Sequence, residues 1–561
     1  MSKKILIAVA WPYASGDIHV GHLAGYLLPA DVFARFHRFR GNEVLMVSGS
    51  DCFGTPITIE AEKLGISPQE VVDKYHPQIV KLFEKLGISF SENGIYTKTA
   101  TDNHKKVVRD FFVKLSEKGY VFKDKTDQYY SEKDKRFLPD RYVEGKCPRC
   151  GYGEARSDQC DDCGAVFSVG ELVNPKSKLS GGPVEIKQTE HYFLDWPKFQ
   201  KILEKYVKSS GKKWRPWVLK ETEGWLKKGL KPRAITRDLD WGIEIPTDKI
   251  PEKLRIEGAE NKRIYVWFEA VIGYLSASIE WAEKNGKNWK DWWYGKSAEH
   301  AYFMGKDNLI FHTLFWPGEL YGYDEKIHLP DYPVISQFLN IEGKKFSKSR
   351  GVTLDPGYVA DTYGLDALRF YLALISPESA DANFSWSDFV DKNNNLFIGN
   401  FGNFINRTLT LAEGLHFGSS EVDRKVESAV LKLVNQGREN LENYEFKKHA
   451  LSVLELSDFG NKYLSKEEPW FLKEKDPEKF KKVVTSALYV TLGLFLLIKP
   501  LLPVAYEKLG KILGVGIDEW SGDEGKLLKE LLKRVNIKTI KPLFERIDEK
   551  VVEMEKAKIR S

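Results

Sequence analysis

Cysteine is scarce in this chain: there are five in 561 residues, and four of them crowd between Cys147 and Cys163. With no secretory signal, so few thiols speak against a disulfide framework, and their spacing has to say what they are for. The opening MSKKILIAVAWPYASG holds only a short apolar run and reads as a first strand, not an export signal. A bilayer-spanning run is missing as well. The longest apolar stretch, Val483–Ile498, contains Thr485, Ser486 and Thr491 and runs into Lys499-Pro500, which reads as a buried bundle helix. Internal repeats and low-complexity tracts are absent, which excludes solenoids and long biased tails. Excess charge is absent too: 85 basic against 80 acidic residues leave +5, so a polyanionic partner has to be met by local basic patches. The remainder is an ordinary globular composition, long enough for about three to four domains, and these exclusions point to a cytoplasmic protein.

Along the chain, residues 3–115 alternate apolar runs such as Ile5–Ala10 and Val44–Ser48 with helical periodicity. Ser67-Pro68-Gln69-Glu70 marks a helix start, with an N-cap serine, proline at the first position and glutamate at the third. Strand and helix in this order predict parallel βαβ units and a doubly wound sheet. The texture changes near residue 120 to short turns rich in Gly and Asp. Between Lys198 and Arg233 there are twelve basic and three acidic residues, interleaved with Trp214, Trp217 and Trp225. That segment reads as a phosphate-contacting surface or as a solvated helical face. The α/β texture resumes at Ile264–Phe268 and Ala301–Met304, so one Rossmann-type domain is split by an insertion. Helical spacing then dominates to about residue 545, as in Ala450–Tyr463 and Val483–Leu497.

Three motifs carry chemistry. His19-Val20-Gly21-His22 follows a strand and opens a helix, where free backbone N–H groups and two imidazoles can meet a phosphate, and Gly21 lets a nucleotide approach closely. Read alone, the pair stands equally for two histidines without a task. Gly343-Lys-Lys-Phe-Ser-Lys-Ser-Arg-Gly351 is a lysine-rich loop bracketed by glycines, able to stabilise charge on a pyrophosphate leaving group or simply to be a solvated basic turn. Cys147-x2-Cys150-x9-Cys160-x2-Cys163 has the spacing of a four-thiolate zinc knuckle, structural because no position is left open for water. Cys52 stands apart as a small core residue.

The histidine motif and the later lysine loop together resemble the signatures of the class I aminoacyl-tRNA synthetases, with Phe346 in the usual Met position of the lysine motif. Other stretches resemble the methionyl family within that class. They are Pro12-Tyr13, GSDCFGTP around Asp51, ARSDQC before the second cysteine pair, TRDLDWGIEIP at 236–246, VWFEAVIGY at 266–274, GKDNLIFHTLFWP at 305–317 and EEPW at 467–470. The resemblance implies catalytic roles for His19, His22, Lys345 and Lys348. It implies an ATP site with His19, Gly21, His22, Gly305, Asp307 and Lys348, with Arg237 and Lys306 as weaker candidates. Asp51 would take the ammonium of methionine. Tyr13, Trp267, Ala270, Tyr274, His312 and Phe315 would line the side-chain pocket, Tyr274 and His312 reaching the thioether as weak donors. Asn403, Arg407 and Trp470 would read the tRNA anticodon. The implied cofactors are one structural Zn2+ and Mg2+ with ATP, and the implied partners are methionine, ATP and a methionine tRNA, with no membrane.

Some features depart from the family pattern. Trp11 and Asn308 stand where smaller or aliphatic residues occur, Cys52-Phe53 replaces a more polar pair, and residues 174–182 lack a second cysteine knuckle. Little chain follows residue 550 for the appended domain that dimerises some relatives, which implies a monomer. The expected organisation is a Rossmann catalytic domain in two halves (1–117 and 233–330) around a connective insertion with the knuckle (118–232). A lysine-loop and stem-contact region (331–385), a helical anticodon-binding bundle (386–545) and a tail (546–561) follow. The alternatives are another class I synthetase, for which an editing insertion finds no room here, or a non-catalytic zinc-containing tRNA-binding paralogue, for which both nucleotide motifs would be idle.

Overall fold

The computed structural model describes residues 2–560 other than 17, 158, 161, 164, 166, 347–351, 419, 420, 521 and 539. Its centre is a parallel five-stranded sheet of β1 (Lys4–Val9), β2 (Glu43–Ser50), β3 (Gly94–Lys98), β6 (Ala298–Gly305) and β7 (Tyr332–Ser336), in the order β7-β6-β1-β2-β3. The insertion between β3 and β6 contributes β4 (Val121–Ser131) and β5 (Glu185–Leu194), an antiparallel pair in register from Val121↔Leu194 to Tyr130↔Glu185. Ile5 to Val9 are each at most 1% exposed, as expected of a strand covered by helices on both faces. The chain builds outward from β1 to β3 and then returns to β1's other side with β6. The strand order therefore reverses between β1 and β6, and a crevice opens beyond their carboxyl ends.

Helices α1 (Leu28–Phe39) and α3 (Val266–Asn285) pack on the sheet, and α2 (Asp102–Glu117) packs against α3. The capping pattern predicted at Ser67 is present: Ser67 Oγ accepts from Glu70 N at 3.3 Å and Glu70 Oε2 accepts from Ser67 N at 2.8 Å. After α4 (Leu365–Leu374) come the bundle helices α5 (Asn403–Ala412), α6 (Arg424–Glu442), α7 (Phe446–Glu467), α8 (Pro469–Lys475) and α9 (Pro477–Leu501). The long apolar helix α9 is buried on nearly every face, which makes it the core of the bundle.

A buried charge cluster joins these parts. Asp31 on α1 accepts from Arg369 Nη2 at 2.6 Å and from Arg35 Nε at 2.9 Å, while its other oxygen accepts from Ser89 N and Oγ. Arg369, on α4, also donates through Nε to Leu501 O at the end of α9, at 2.7 Å. Burial works against the charge on Asp31, but the two guanidiniums and Ser89 outweigh it and hold the carboxyl down at about 2. Arg369→Met leaves Asp31 partly paired and the Leu501 carbonyl bare, so it lowers the unfolding free energy by about 3–5 kcal/mol in denaturant titration. Because the folded-state pKa of Asp31 is depressed, its contribution is complete above about pH 4. It fades as pH falls toward 2, which urea midpoints measured across that range test.

Candidate active site

Where β1 ends, the backbone of Pro12–Ala14 is tied to Asp51, beyond the end of β2. Asp51 N donates to Pro12 O and Ala14 N donates to Asp51 O, both at 2.8 Å. The chain then turns into the first helical turn, and the two histidines cap it reciprocally. His19 Nδ1 accepts from Gly21 N at 3.1 Å and His22 Nδ1 accepts from His19 N at 3.1 Å. With both Nδ1 atoms acting as acceptors, each neutral ring carries its hydrogen on Nε2, the atom suited to donate to an anion. Phe346 stacks on His19 with centroids 4.3 Å apart and planes within 6°. A Cβ at Gly21 would lie 2.8 Å from the His19 ring and 3.2 Å from Phe346. Gly21 is thus required first by the packing of these rings.

This turn forms one wall of a cleft of about 520 Å³ at the reversal point of the sheet. Tyr13, His19, Gly21, His22, Asp51, Trp267, Ala270, Tyr274, Gly305, Asp307, His312 and Lys345 all line it, so the structure brings most of the expected set together. Trp267, Ala270 and Tyr274 follow helical spacing along one face of α3. Phe315 does not line the cleft. It lies behind, its ring 4.4 Å from Trp196 and under the guanidinium of Arg233 at 4.7 Å. Phe311, four residues earlier in the same wide helical turn, faces the cleft and stacks on Trp267 at 4.4 Å. Lys348 lies outside the described residues, whereas Lys345 pairs with Asn340 in a short hairpin at the cleft edge.

Hydrogen-bond direction corrects one expectation. His312 Nδ1 is 2.9 Å from Asn308 O, a carbonyl that only accepts, so Nδ1 carries the hydrogen and Nε2 is left as an acceptor. Tyr274 Oη, 2.7 Å from that Nε2, must donate to it. Burial also pushes His312 down to about 4, keeping it neutral. The Tyr274 hydrogen is spent on His312 and the His312 hydrogen on the backbone, so neither group has one to offer a thioether. The pocket floor is an oriented, uncharged surface.

Asp51 is almost fully buried and its Oδ1 accepts from Phe53 N at 3.3 Å. Burial first, then neighbouring Glu269, pushes its carboxyl up. Asp307 is pushed up by burial and eased by Lys306 and Lys345. Lys306 is itself tied to Gln337 at 3.0 Å and Asp381 at 2.8 Å, and Arg237 lies on the Tyr265 ring at 3.9 Å outside the cleft lining. Sequence reasoning missed Phe311, Gln337 and Asn340. Spacing from His312 could have suggested Phe311, while the other two reach the cleft only through the fold.

The four knuckle sulfurs lie within 4.8 Å of one another, with Cys147–Cys163 at 3.8 Å and Cys150–Cys160 at 3.6 Å. Tetrahedral zinc with bonds of about 2.3 Å needs sulfurs about 3.8 Å apart, so the donor set fits. The amides of Arg149 and Cys150 both donate to Cys147 Sγ at 3.4 Å, which suits a thiolate. In the bundle, Asn403 is exposed one turn from Arg407 on α5. The Arg407 guanidinium lies 5.4 Å over the Trp470 ring, which is 44% exposed at the start of α8.

Residues 5–409 match the family model described as tRNA synthetases class I (M), and residues 413–560 that of the anticodon binding domain of methionyl tRNA ligase. A methionine–tRNA ligase from Roseiflexus castenholzii is 42% identical over 600 residues, covering 100% of this chain and 99% of that one. One from Chloroflexus aggregans is 40% identical, with 100% of both chains covered. The fold superposes on that of Mycobacterium tuberculosis methionyl-tRNA synthetase in complex with methionyl-adenylate with a TM-score of 0.77. Sequence identity there is 21%, and 97% of this chain and 100% of that chain are covered.

Tyr274→Phe strands His312 Nε2 as a buried acceptor, so thermal and urea unfolding should both report a loss of about 1–3 kcal/mol.

Proposed function

The chain belongs to the methionyl-tRNA synthetases of class I, and from that premise we propose how its own residues divide the work. The activity is the ATP-dependent ligation of L-methionine to its tRNA by way of methionyl-adenylate. The methionine carboxylate attacks the α-phosphorus of ATP and pyrophosphate leaves. The 2′-hydroxyl of the terminal adenosine of the tRNA then attacks the acyl carbon, the acyl–phosphate bond breaks and AMP leaves. No side chain is needed as a covalent nucleophile, so catalysis is positioning plus stabilisation of developing charge.

His19 and His22 present Nε2–H groups to the phosphates, and Lys345 and Lys348 supply positive charge where the pyrophosphate departs. Gly305 and Asp307, at the end of β6, hold the nucleoside side. Asp51 takes the ammonium, and Tyr13, Trp267, Ala270, Tyr274 and His312 bound the side chain, with Phe311 facing it and Phe315 supporting from behind. The observation that carries this division is the reciprocal histidine cap standing in one cleft with Asp51 and the pocket face of α3.

Asn403, Arg407 and Trp470 read the anticodon, the indole face stacking on a splayed base. The lysines between 198 and 233 meet the acceptor arm by phosphate contact. One Zn2+ held by Cys147, Cys150, Cys160 and Cys163 braces the insertion, and Mg2+ accompanies ATP. The enzyme acts as a monomer in the cytoplasm, with catalytic halves 1–117 and 233–330.

ATP–pyrophosphate exchange run with each amino acid should proceed with methionine alone, and exchange with none would favour a non-catalytic tRNA-binding scaffold. Lys348→Ala should slow single-turnover adenylate formation by about a hundredfold or more with methionine binding nearly intact, and an unchanged rate rejects the assignment. Elemental analysis should find one zinc per chain, lost in Cys160→Ser.

A further inference from the structure

The amino-acid end of the cleft holds more buried acid than one ammonium accounts for. Glu269, on α3 behind Asp51, is fully buried, and its Oε1 has no hydrogen-bond partner among the described residues. Its Oε2 lies 2.7 Å from His104 Nε2 on α2, and His104 Nδ1 lies 2.8 Å from Ser276 Oγ. Ser276 Oγ is also 3.1 Å from Gly273 O. That carbonyl can only accept, so a serine hydroxyl donating to it takes the Nδ1 hydrogen of His104 on a lone pair. A neutral imidazole protonated at Nδ1 has only an acceptor left at Nε2. In that arrangement the hydrogen of the Glu269 contact comes from the carboxyl, whereas a serine hydroxyl turned to Nδ1 would leave Nε2–H donating to a carboxylate whose Oε1 has no partner among the described residues.

The contact distance also fits an imidazolium–carboxylate ion pair. That arrangement separates two charges where no water reaches; burial above all pushes His104 down to about 3, with Lys105 adding to it and Glu280 opposing, and burial pushes Glu269 up. The neutral pair is the one this surrounding stabilises.

We propose that Glu269 is a positioning residue for amino-acid recognition that works as a neutral acid. It keeps its hydrogen on the bond to His104, so that Asp51 alone offers negative charge to the ligand. The inference rests on the reading of Asp51 above and takes it one residue further. Two ionised carboxylates here would repel each other with little screening. The contact also reaches the cleft wall: Trp11, which lines the cleft, packs its ring 6.3 Å from His104 and 6.4 Å from Tyr274. A Cβ on Gly273 would come within 2.7 Å of that indole, so the turn of α3 after Glu269 sets where Trp11 lies. Fixing His104 thus fixes the indole beside the amino-acid site.

Methionine-dependent ATP–pyrophosphate exchange with Glu269→Gln, Glu269→Leu and Asp51→Asn tests this. Glutamine offers His104 an N–H without charge, so the methionine KM should stay within about threefold of the parent. Leucine removes the donor, so the methionine KM should rise about tenfold while kcat and the ATP KM change less than about threefold. A Gln variant as impaired as the Leu variant means that Glu269 is charged and meets the ammonium itself, which overturns the proposal. A Leu variant with unchanged KM overturns it as well. If the Leu variant does not fold, difference infrared spectroscopy of the parent against Glu269→Gln decides: a protonated-carboxyl band lost in the variant supports the proposal, and no such band in the parent overturns it. Asp51→Asn separates the two levels, because an unchanged methionine KM there removes the ammonium assignment whatever the Glu269 variants do.

Discussion

The pairing of Asp31 with Arg369 is the contact on which the arrangement of the whole chain rests. One carboxylate on the first helix of the sheet domain receives a guanidinium from a helix more than three hundred residues later, and that guanidinium also closes off the last carbonyls of the longest bundle helix. Neither charge can be left buried alone, so the three parts hold one another in place. The second tie is apolar: Trp520 is buried against Phe36 and Phe39 of the same helix, and Arg40 donates to its carbonyl. A third is at the C-terminal helix, where buried Glu555 accepts from Tyr358 and Tyr363. The cleft and the helical bundle are therefore parts of one packed body.

Inside the cleft the organising constraint is the direction of hydrogen bonds. His19 and His22 spend Nδ1 on the backbone. His312 spends Nδ1 on Asn308 and takes the Tyr274 hydrogen, and His104 is held between Ser276 and Glu269. The same side chain is thus a reciprocal helix cap in one place and an uncharged strut in another. The histidine cap and Lys345 stand in the same cleft as a neutral aromatic surface of Trp267, Tyr274 and Phe311.

The histidine motif, the four-cysteine spacing and the parallel sheet were legible because each is local. A reciprocal cap needs residues three apart, a zinc knuckle needs thiols on two tight turns, and a parallel strand shows as an unbroken apolar run. The resemblance grouped Asp51, Trp267, Ala270, Tyr274 and His312, and the fold sets them along one cleft. The resemblance also grouped Phe315 with them, and the wide turn at 311–315 instead gives that place to Phe311. Nothing in the order of residues shows that a turn has one residue more than an α-helix.

Spacing along the chain thus determined which groups could share a cap, a metal or a helix face, because those geometries close within a few residues. The tertiary structure alone decided which of them meet and in what state of charge. Glu269 and His104 are 165 positions apart, and only packing removes the water that would otherwise ionise them. Burial, and the direction of hydrogen bonds it enforces, are properties of the assembled fold and not of any segment.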